Sequence, residues 1–290
     1  MVNLDCIYFE GLTRQRPRAL PRPRVAAPAR SRPSEEEPEA ARFLSFLFER
    51  LGVSLEAYRT KALHRRLPAC LRFLRAKDCR SAEALLASRP DLVSAAGSVM
   101  LLGVTEFCRD RAVFDALQEI VLPALETTDR RSRVWSAACS EGRELYSIAA
   151  LLEGVGLLER AELLGTDCRA DAIARAARGE FSAESVAGLD PGWQRHFQRE
   201  QNRVRVPASW RRAIRWKVGN LLTTTEPGPW DLLLWRNMAI YLTADAATRV
   251  WRNLIHELAP GGWLVCGKAD HPPKHAGLAR VAPCIYRKHA

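Results

Sequence analysis

From residue 133 onward the chain alternates short, almost wholly apolar runs with stretches whose apolar residues recur at helical spacing. The runs are 134–138, 162–167, 214–218, 231–235 and 263–266, with a closing one at 284–288. Strands apolar on both faces must be covered on both faces, which a parallel sheet flanked by helices achieves. Helices are expected around Tyr146, Ile148, Leu151 and Leu152, over 170–178, and over 244–258. Residues 131–290 are therefore predicted to form an α/β domain with a doubly wound, Rossmann-like sheet.

Upstream the pattern is helical only. Phe43, Phe46, Leu47 and Leu51 make one stripe; Leu63, Leu67, Leu71 and Leu74 make a second. Pro68 should kink that second helix or begin a new segment, because its ring clashes with the preceding turn. A third stripe, Phe114, Leu117, Ile120 and Val121, is expected to end before Pro123. A small all-helical domain over 39–126 follows from these. Residues 1–38 hold Pro17, Pro21, Pro23, Pro28 and Pro33 and seven arginines between Arg14 and Arg32, and are expected to be a disordered tail. Ser34 before Glu35, Glu36 and Glu37 has the composition of a helix start.

Composition narrows the function. No run of about 18 apolar residues exists, so no membrane insertion is expected. The start of the chain is Arg/Pro-rich rather than apolar, which points away from a secretory leader and toward the cytoplasm. Eight scattered cysteines contain no Cys-x-x-Cys pair, and His271 and His275 have two prolines between them, so no metal site is expected. The net charge of +11 would suit a polyanion, but only six of the 44 basic residues are lysine, a bias toward arginine that needs no nucleic acid to explain it.

The chemistry-bearing residues sit after the strands. Ala138-Cys139-Ser140-Glu141-Gly142 is a turn of mostly small residues between the first strand and its helix, where a ligand can approach backbone N–H groups. With one glycine and no lysine it is a poor phosphate cradle, and a nucleoside without phosphates suits it better. Asp167 ends the second strand, where such folds place an acid on a ribose diol; alternatively it caps the next helix. Asn220 and Asn237 follow later strands, and their amides suit adenine or an amino-acid zwitterion if they are not simply turn formers.

Three segments in this order, 105–109 (Thr-Glu-Phe-Cys-Arg), 136–147 (Ser-Ala-Ala-Cys-Ser-Glu-Gly-Arg-Glu-Leu-Tyr-Ser) and 236–241 (Arg-Asn-Met-Ala-Ile-Tyr), resemble the chemotaxis-receptor glutamate O-methyltransferase family. The resemblance spans roughly residues 42–288. It implies S-adenosylmethionine as cofactor, with S-adenosylhomocysteine as product, held by Thr105, Arg109, Glu144, Asp167, Asn220, Leu221, Asn237 and Met238. It also implies that Arg109 and Tyr241 stand near the transferred methyl. A glutamate side chain, with a solution pKa near about 4.3, is already an anion at neutral pH, so no general base is required. The implied substrate is the cytoplasmic domain of a methyl-accepting chemoreceptor, met by a basic helix carrying Lys61, Arg66 and Arg72.

Several residues depart from the family pattern, which for the first turn reads Ala-x-Cys-Ser-x-Gly-Glu-Glu-Pro-Tyr-Ser. Arg143 stands for the first Glu and Leu145 for the proline, Gly103 for an asparagine, Cys108 for a second phenylalanine, and the stretch 268–270 for His-Ser-Glu. Arg143 is expected to oppose the helix dipole and to face a cationic sulfonium. These departures leave open an alternative, a regulator that binds the cofactor or its product without catalysis. Within 194–206, where the resemblance implies a peptide-capturing excursion, residues 197–204 read as a short β-hairpin with little loop, so dependence on a receptor-tethered pentapeptide is not expected. A monomer is expected. A nucleic-acid methyltransferase is disfavoured, because the Asn/Asp-Pro-Pro-aromatic motif is missing and Pro283-Cys284 lies at the wrong end.

Overall fold

A computed structural model describes residues 36–101 and 105–289. The Arg/Pro-rich stretch 1–35 and Gly103 lie outside the described residues. The helical region comprises α1 (Glu36–Leu51), α2 (Thr60–Leu74), α3 (Cys79–Ser88), α4 (Val93–Met100), α5 (Arg111–Ala116), a π-helical turn (Leu117–Val121) and α6 (Leu122–Glu126). α3 opens with a reciprocal cap, Ser81 N–H donating to Asp78 Oδ1 at 2.7 Å and Asp78 N–H to Ser81 Oγ at 3.2 Å. α2 runs through Pro68 as one element, not two. Leu63, Cys70 and Leu74 bury one face on both sides of the proline, and α2 packs on α4. The third stripe ends at Val121, and Pro123 sits in the first turn of α6, where its missing N–H is not needed.

The second region runs β1 (Ser132–Ala137), α7 (Arg143–Gly154), β2 (Ala161–Asp167), α8 (Ala170–Arg178), β3 (Glu180–Ser182), α9 (Glu184–Ala187), α10 (Pro191–Gln194), β4 (Gln198–Glu200), β5 (Arg203–Arg205), α11 (Ala208–Ala213), β6 (Ile214–Val218), β7 (Trp230–Trp235), α12 (Ala244–Glu257), β8 (Leu258–Cys266), β9 (Leu278–Ala282) and β10 (Ile285–Lys288). Seven strands form one sheet in the order β6-β2-β1-β7-β8-β10-β9. The first five are parallel and β10 is antiparallel to both its neighbours. This is the expected doubly wound sheet on a helical N-terminal region. β8 is longer than its apolar run because it takes in Pro260, Gly261 and Gly262 with a register shift against β7. β9, with mostly exposed residues, carried no apolar pattern to announce it.

Strand order reverses between β1 and β7. At such a switch point the carboxyl ends of adjacent strands splay apart and leave a crevice. The hairpin is present as β4 and β5, joined through Gln201 and Asn202, and β3 pairs with the other edge of β5 to make a separate three-stranded sheet.

The helical region is stitched to the sheet region within one compact unit, Glu36–Ala290. Arg59 N–H donates to the Tyr241 carbonyl at 2.9 Å, Thr243 N–H to the Ala57 carbonyl at 2.8 Å, and Arg59 Nε to the Leu242 carbonyl at 2.7 Å. Ser94 and Ser98 on α4 both donate to Asp171 on α8.

Candidate functional site

The β1–α7 turn is shaped from below. Ala138, Ser140 and Gly142 all have positive φ (58°, 55° and 81°). Cys139 N–H donates to the Thr166 carbonyl at 2.9 Å and Ser140 N–H to Asp167 Oδ2 at 2.8 Å, so the turn is tied to the end of β2. A Cβ on Gly142 would lie 2.4 Å from the Trp216 ring, and one on Gly165 2.3 Å. Gly142 is therefore small because of Trp216, while Ala138, Cys139 and Ser140 face the crevice.

The crevice is a cavity of about 330 Å3, within the range of small-molecule sites. All nine residues expected at a cofactor or methyl-transfer site border it. Glu144 reaches it from the first turn of α7, Asp167 from the end of β2, and Asn220 and Leu221 from the loop after β6. Asn237, Met238 and Tyr241 reach it from the loop after β7, and Thr105 and Arg109 from the segment before α5. Lys61, Arg66 and Arg72 do not border it; they lie on α2. Lys61 and Arg72 are exposed, whereas Arg66 is half-buried with Nη2 3.5 Å from the Val99 carbonyl. Asn220 closes its own turn, Oδ1 accepting from Leu222 N–H at 3.0 Å, and it also borders the cavity.

Residues not anticipated also line the cavity, among them Tyr58, Glu106, Cys168, Arg169 and Arg236. Arg236 is the organiser. Its side chain is 2% exposed, and its guanidinium donates to Glu144 Oε2 at 3.1 Å, Asp110 Oδ2 at 2.9 Å and the Arg109 carbonyl at 2.8 Å. Glu144 Oε1 in turn accepts from Ser136 Oγ at 2.8 Å. One buried cation thus sets the segment carrying Arg109, the start of α7 and the end of β7 in one arrangement. Its place in the Arg236-Asn237 motif was the available signal. Tyr58 had none, because it arrives through a backbone bridge to Leu242.

Burial pushes the Cys168 thiol up to about 12 and the Cys139 thiol well above its usual range. Both are protonated at neutral pH, so neither is a thiolate nucleophile in this pocket. For Asp110, burial acts upward, but the Lys268 ammonium at 2.8 Å and Arg236 hold its carboxyl below the usual range. Burial raises Asp270 against the backbone N–H groups of Asn237 and Gly267 that it accepts from. A side chain at Gly267 would crowd the Asn237 turn, because a Cβ there would meet the Asn237 backbone nitrogen at 2.8 Å.

Among the described residues, the departures from the family pattern, Arg143, Leu145, Cys108 and 268–270, fall outside the cavity wall. Arg143 does not face a bound ligand. It points the other way, donating to the Thr105 carbonyl at 2.8 Å, pairing with Glu141 at 3.2 Å and lying 4.9 Å over the Phe181 ring. Leu145 is fully buried in the core. Cys108 does not border the cavity, and its backbone N–H donates to Ser147 Oγ at 3.0 Å. Lys268 becomes a partner of Asp110 and Asp270 a partner of the Asn237 turn.

The residues present fit S-adenosylmethionine. Three small residues of the β1–α7 turn border the cavity, an acid ends β2, and three carboxylates (Glu106, Glu144, Asp167) share the lining with three guanidiniums (Arg109, Arg169, Arg236). That balance of opposite charges suits a ligand bearing both charges.

The profile of the family described as "CheR methyltransferase, SAM binding domain" matches residues 103–286. The chemotaxis protein methyltransferase of Listeria monocytogenes is 32% identical over 196 residues, covering 66% of this chain and 74% of that one. That of Klebsiella aerogenes is 31% identical over 247 residues, covering 79% and 82%. Among solved structures, a TehB-like SAM-dependent methyltransferase from Corynebacterium glutamicum superposes with a TM-score of 0.35 at 15% identity, covering 71% of this chain and 94% of that one, a likeness too low to add to the assignment. The chain belongs to the CheR methyltransferase family and carries its S-adenosylmethionine-binding domain.

Proposed function

We propose that this protein methyl-esterifies glutamate side chains of a chemoreceptor's cytoplasmic domain. The observation that carries the reading is the convergence of nine residues from five separate segments on one cavity at the sheet's switch point. S-adenosylmethionine, when bound, supplies an electrophilic methyl on a sulfonium. Thr105, Glu144, Asp167, Asn220, Leu221, Asn237 and Met238 hold that cofactor. Arg109 orients the acceptor carboxylate through its planar fork of donors, and Tyr241 closes the same end of the cavity. The acceptor is already ionised, so the chain supplies position and exclusion of water and no base. The Cys139 and Cys168 thiols, held protonated by burial, do not compete as thiolates for the methyl.

The exposed charges of α2, Lys61 and Arg72, support a basic surface for an acidic receptor helix, with salt-dependent association. Arg66 is directed at α4 and contributes less to it. Recognition is proposed to be independent of a tethered receptor pentapeptide. β4 and β5 are three residues each, joined by a two-residue loop, and β5 is paired on both sides.

The test is transfer of labelled methyl from S-adenosylmethionine to receptor-containing membranes by the full chain. Base-labile label on receptor that disappears with Arg109→Ala is the expected result. Wild-type protein that binds S-adenosylhomocysteine yet labels no receptor would sink the proposal. Calorimetric binding of an aromatic-rich receptor pentapeptide would overturn the independence from a tether.

A further inference from the structure

A carboxylate offers about four lone-pair sites. Those of Asp167 are all taken. Oδ1 accepts from Arg169 N–H at 3.0 Å and Arg169 Nε at 2.9 Å, and Oδ2 accepts from Ser140 N–H at 2.8 Å and Arg169 Nη2 at 3.2 Å. The two side chains are 6% and 8% exposed. Two of the four donors are backbone N–H groups, one in the β1–α7 turn and one at the start of α8, and neither can leave without unmaking its element. Only the guanidinium can be released. It donates two hydrogen bonds in a plane, the same number that a ribose diol would donate, and it borders the same cavity. Among the described residues no other carboxylate lies within ion-pair distance of Arg169.

We propose that Arg169 is an internal competitor for the ribose-binding carboxylate, so that the Arg169–Asp167 pair opens when cofactor or product seats and Arg169 sets their affinity. The proposal rests on the reading of Asp167 as the ribose acceptor. Seating a nucleoside replaces a buried, charge-assisted fork with two hydrogen bonds from neutral hydroxyls, which are individually weaker. Affinity is then lower than the remainder of the pocket would provide. A pair that served only to stabilise the fold would, on removal, lower the melting temperature and leave ligand affinity unchanged or reduced.

The experiment is calorimetric titration of the full chain with S-adenosylhomocysteine. Arg169→Ala is expected to bind about tenfold more tightly than wild type, equivalent to about 1.4 kcal/mol, while its ligand-free melting temperature falls. An analogue lacking both ribose hydroxyls should bind the two proteins alike. Arg169→Ala that melts cooperatively and binds S-adenosylhomocysteine no more tightly than wild type overturns the proposal. If that variant does not fold, Arg169→Lys carries the test, since an ammonium keeps the charge but makes no planar fork; tighter binding supports competition and equal or weaker binding overturns it. Asp167→Asn should bind more weakly than wild type. Unchanged affinity in Asp167→Asn would remove the ribose reading itself, and with it the competitor, whatever Arg169→Ala does.

Discussion

The guanidinium of Arg143 donates to the carbonyl of Thr105 at 2.8 Å, across a separation of 38 residues. An arginine in the first turn of a helix is unfavourable for the dipole, and next to a sulfonium it would be unfavourable again. The side chain avoids the second penalty by turning onto Glu141 and Phe181 and holding the segment that carries Thr105 and Arg109. Restoring the family's acid should therefore harm this chain. Arg143→Glu places a carboxylate beside Glu141 and loses a charge-assisted hydrogen bond, for which a drop in S-adenosylhomocysteine affinity of about tenfold is expected. Hydrogen exchange should speed up at residues 105–110. Unchanged exchange there would mean that the segment is held by other contacts.

Arg236 bridges Glu144 and Asp110 from a side chain that is 2% exposed. Removing it leaves Glu144 without its ion-pair partner and Asp110 with Lys268 alone, and breaking a buried pair in this way costs about 3 kcal/mol or more. Arg236→Ala should show that loss in urea unfolding, together with weaker ligand binding. Arg236→Lys should recover only part of it, since an ammonium cannot span three acceptors on two sides.

Trp216 occupies the space that a side chain at Gly142 or Gly165 would need. Gly165→Ala should destabilise the fold by about 1–3 kcal/mol through overpacking. Trp216→Leu in the same chain should restore part of that stability, giving a non-additive double-mutant cycle in urea. Additive effects would show that the backbone, not the ring, resents the new Cβ.

Asp110 and Asp171 are both held below the usual carboxylate range. For each, burial acts upward and is outweighed: by Lys268 and Arg236 at Asp110, and by Ser98, Ser94 and Arg175 at Asp171. A carboxylate with a depressed folded pKa contributes its stability above its unfolded value, near about 3.9, and loses it as pH falls through the folded value. Stability should therefore drop on acidification below about pH 4. Asp110→Asn and Asp171→Asn should each flatten that part of the profile. Since Asp171 joins α8 to Ser94 and Ser98, its variant should also speed hydrogen exchange in α4.

On α2, Lys61→Glu with Arg72→Glu is expected to abolish receptor methylation at moderate salt while leaving S-adenosylhomocysteine affinity at the wild-type value. Equal methylation by the double variant would dismiss α2 as the receptor surface. Arg66 is left out because its reversal would disturb the contact with Val99 and confuse docking with stability.

The strands and helices around the cavity were legible because their signals are local. β2, α8 and β6 stand where the apolar runs put them, and the polar residues that follow such strands reach the crevice through sheet geometry alone. β9 was not legible, since an edge strand with exposed side chains has no apolar period. Pro68 did not divide its helix for a related reason: its local preference for breaking a helix is outweighed by the buried face on either side, Leu63 and Leu74.

The sequence by itself determined the order of the principal strands and helices around the cavity, the sheet class and which polar residues end those strands, because apolar periodicity and strand-to-helix turns act over a few residues. The tertiary structure decided where long side chains point and what they meet. Arg59 reaches the Leu242 carbonyl across 183 residues, Arg236 reaches Asp110 across 126, and Arg143 turns from the cavity to Thr105. Arginine has several rotatable bonds and five donors, so its partner is chosen by whichever unpaired acceptor the packed fold brings within reach. No spacing along the chain encodes that choice.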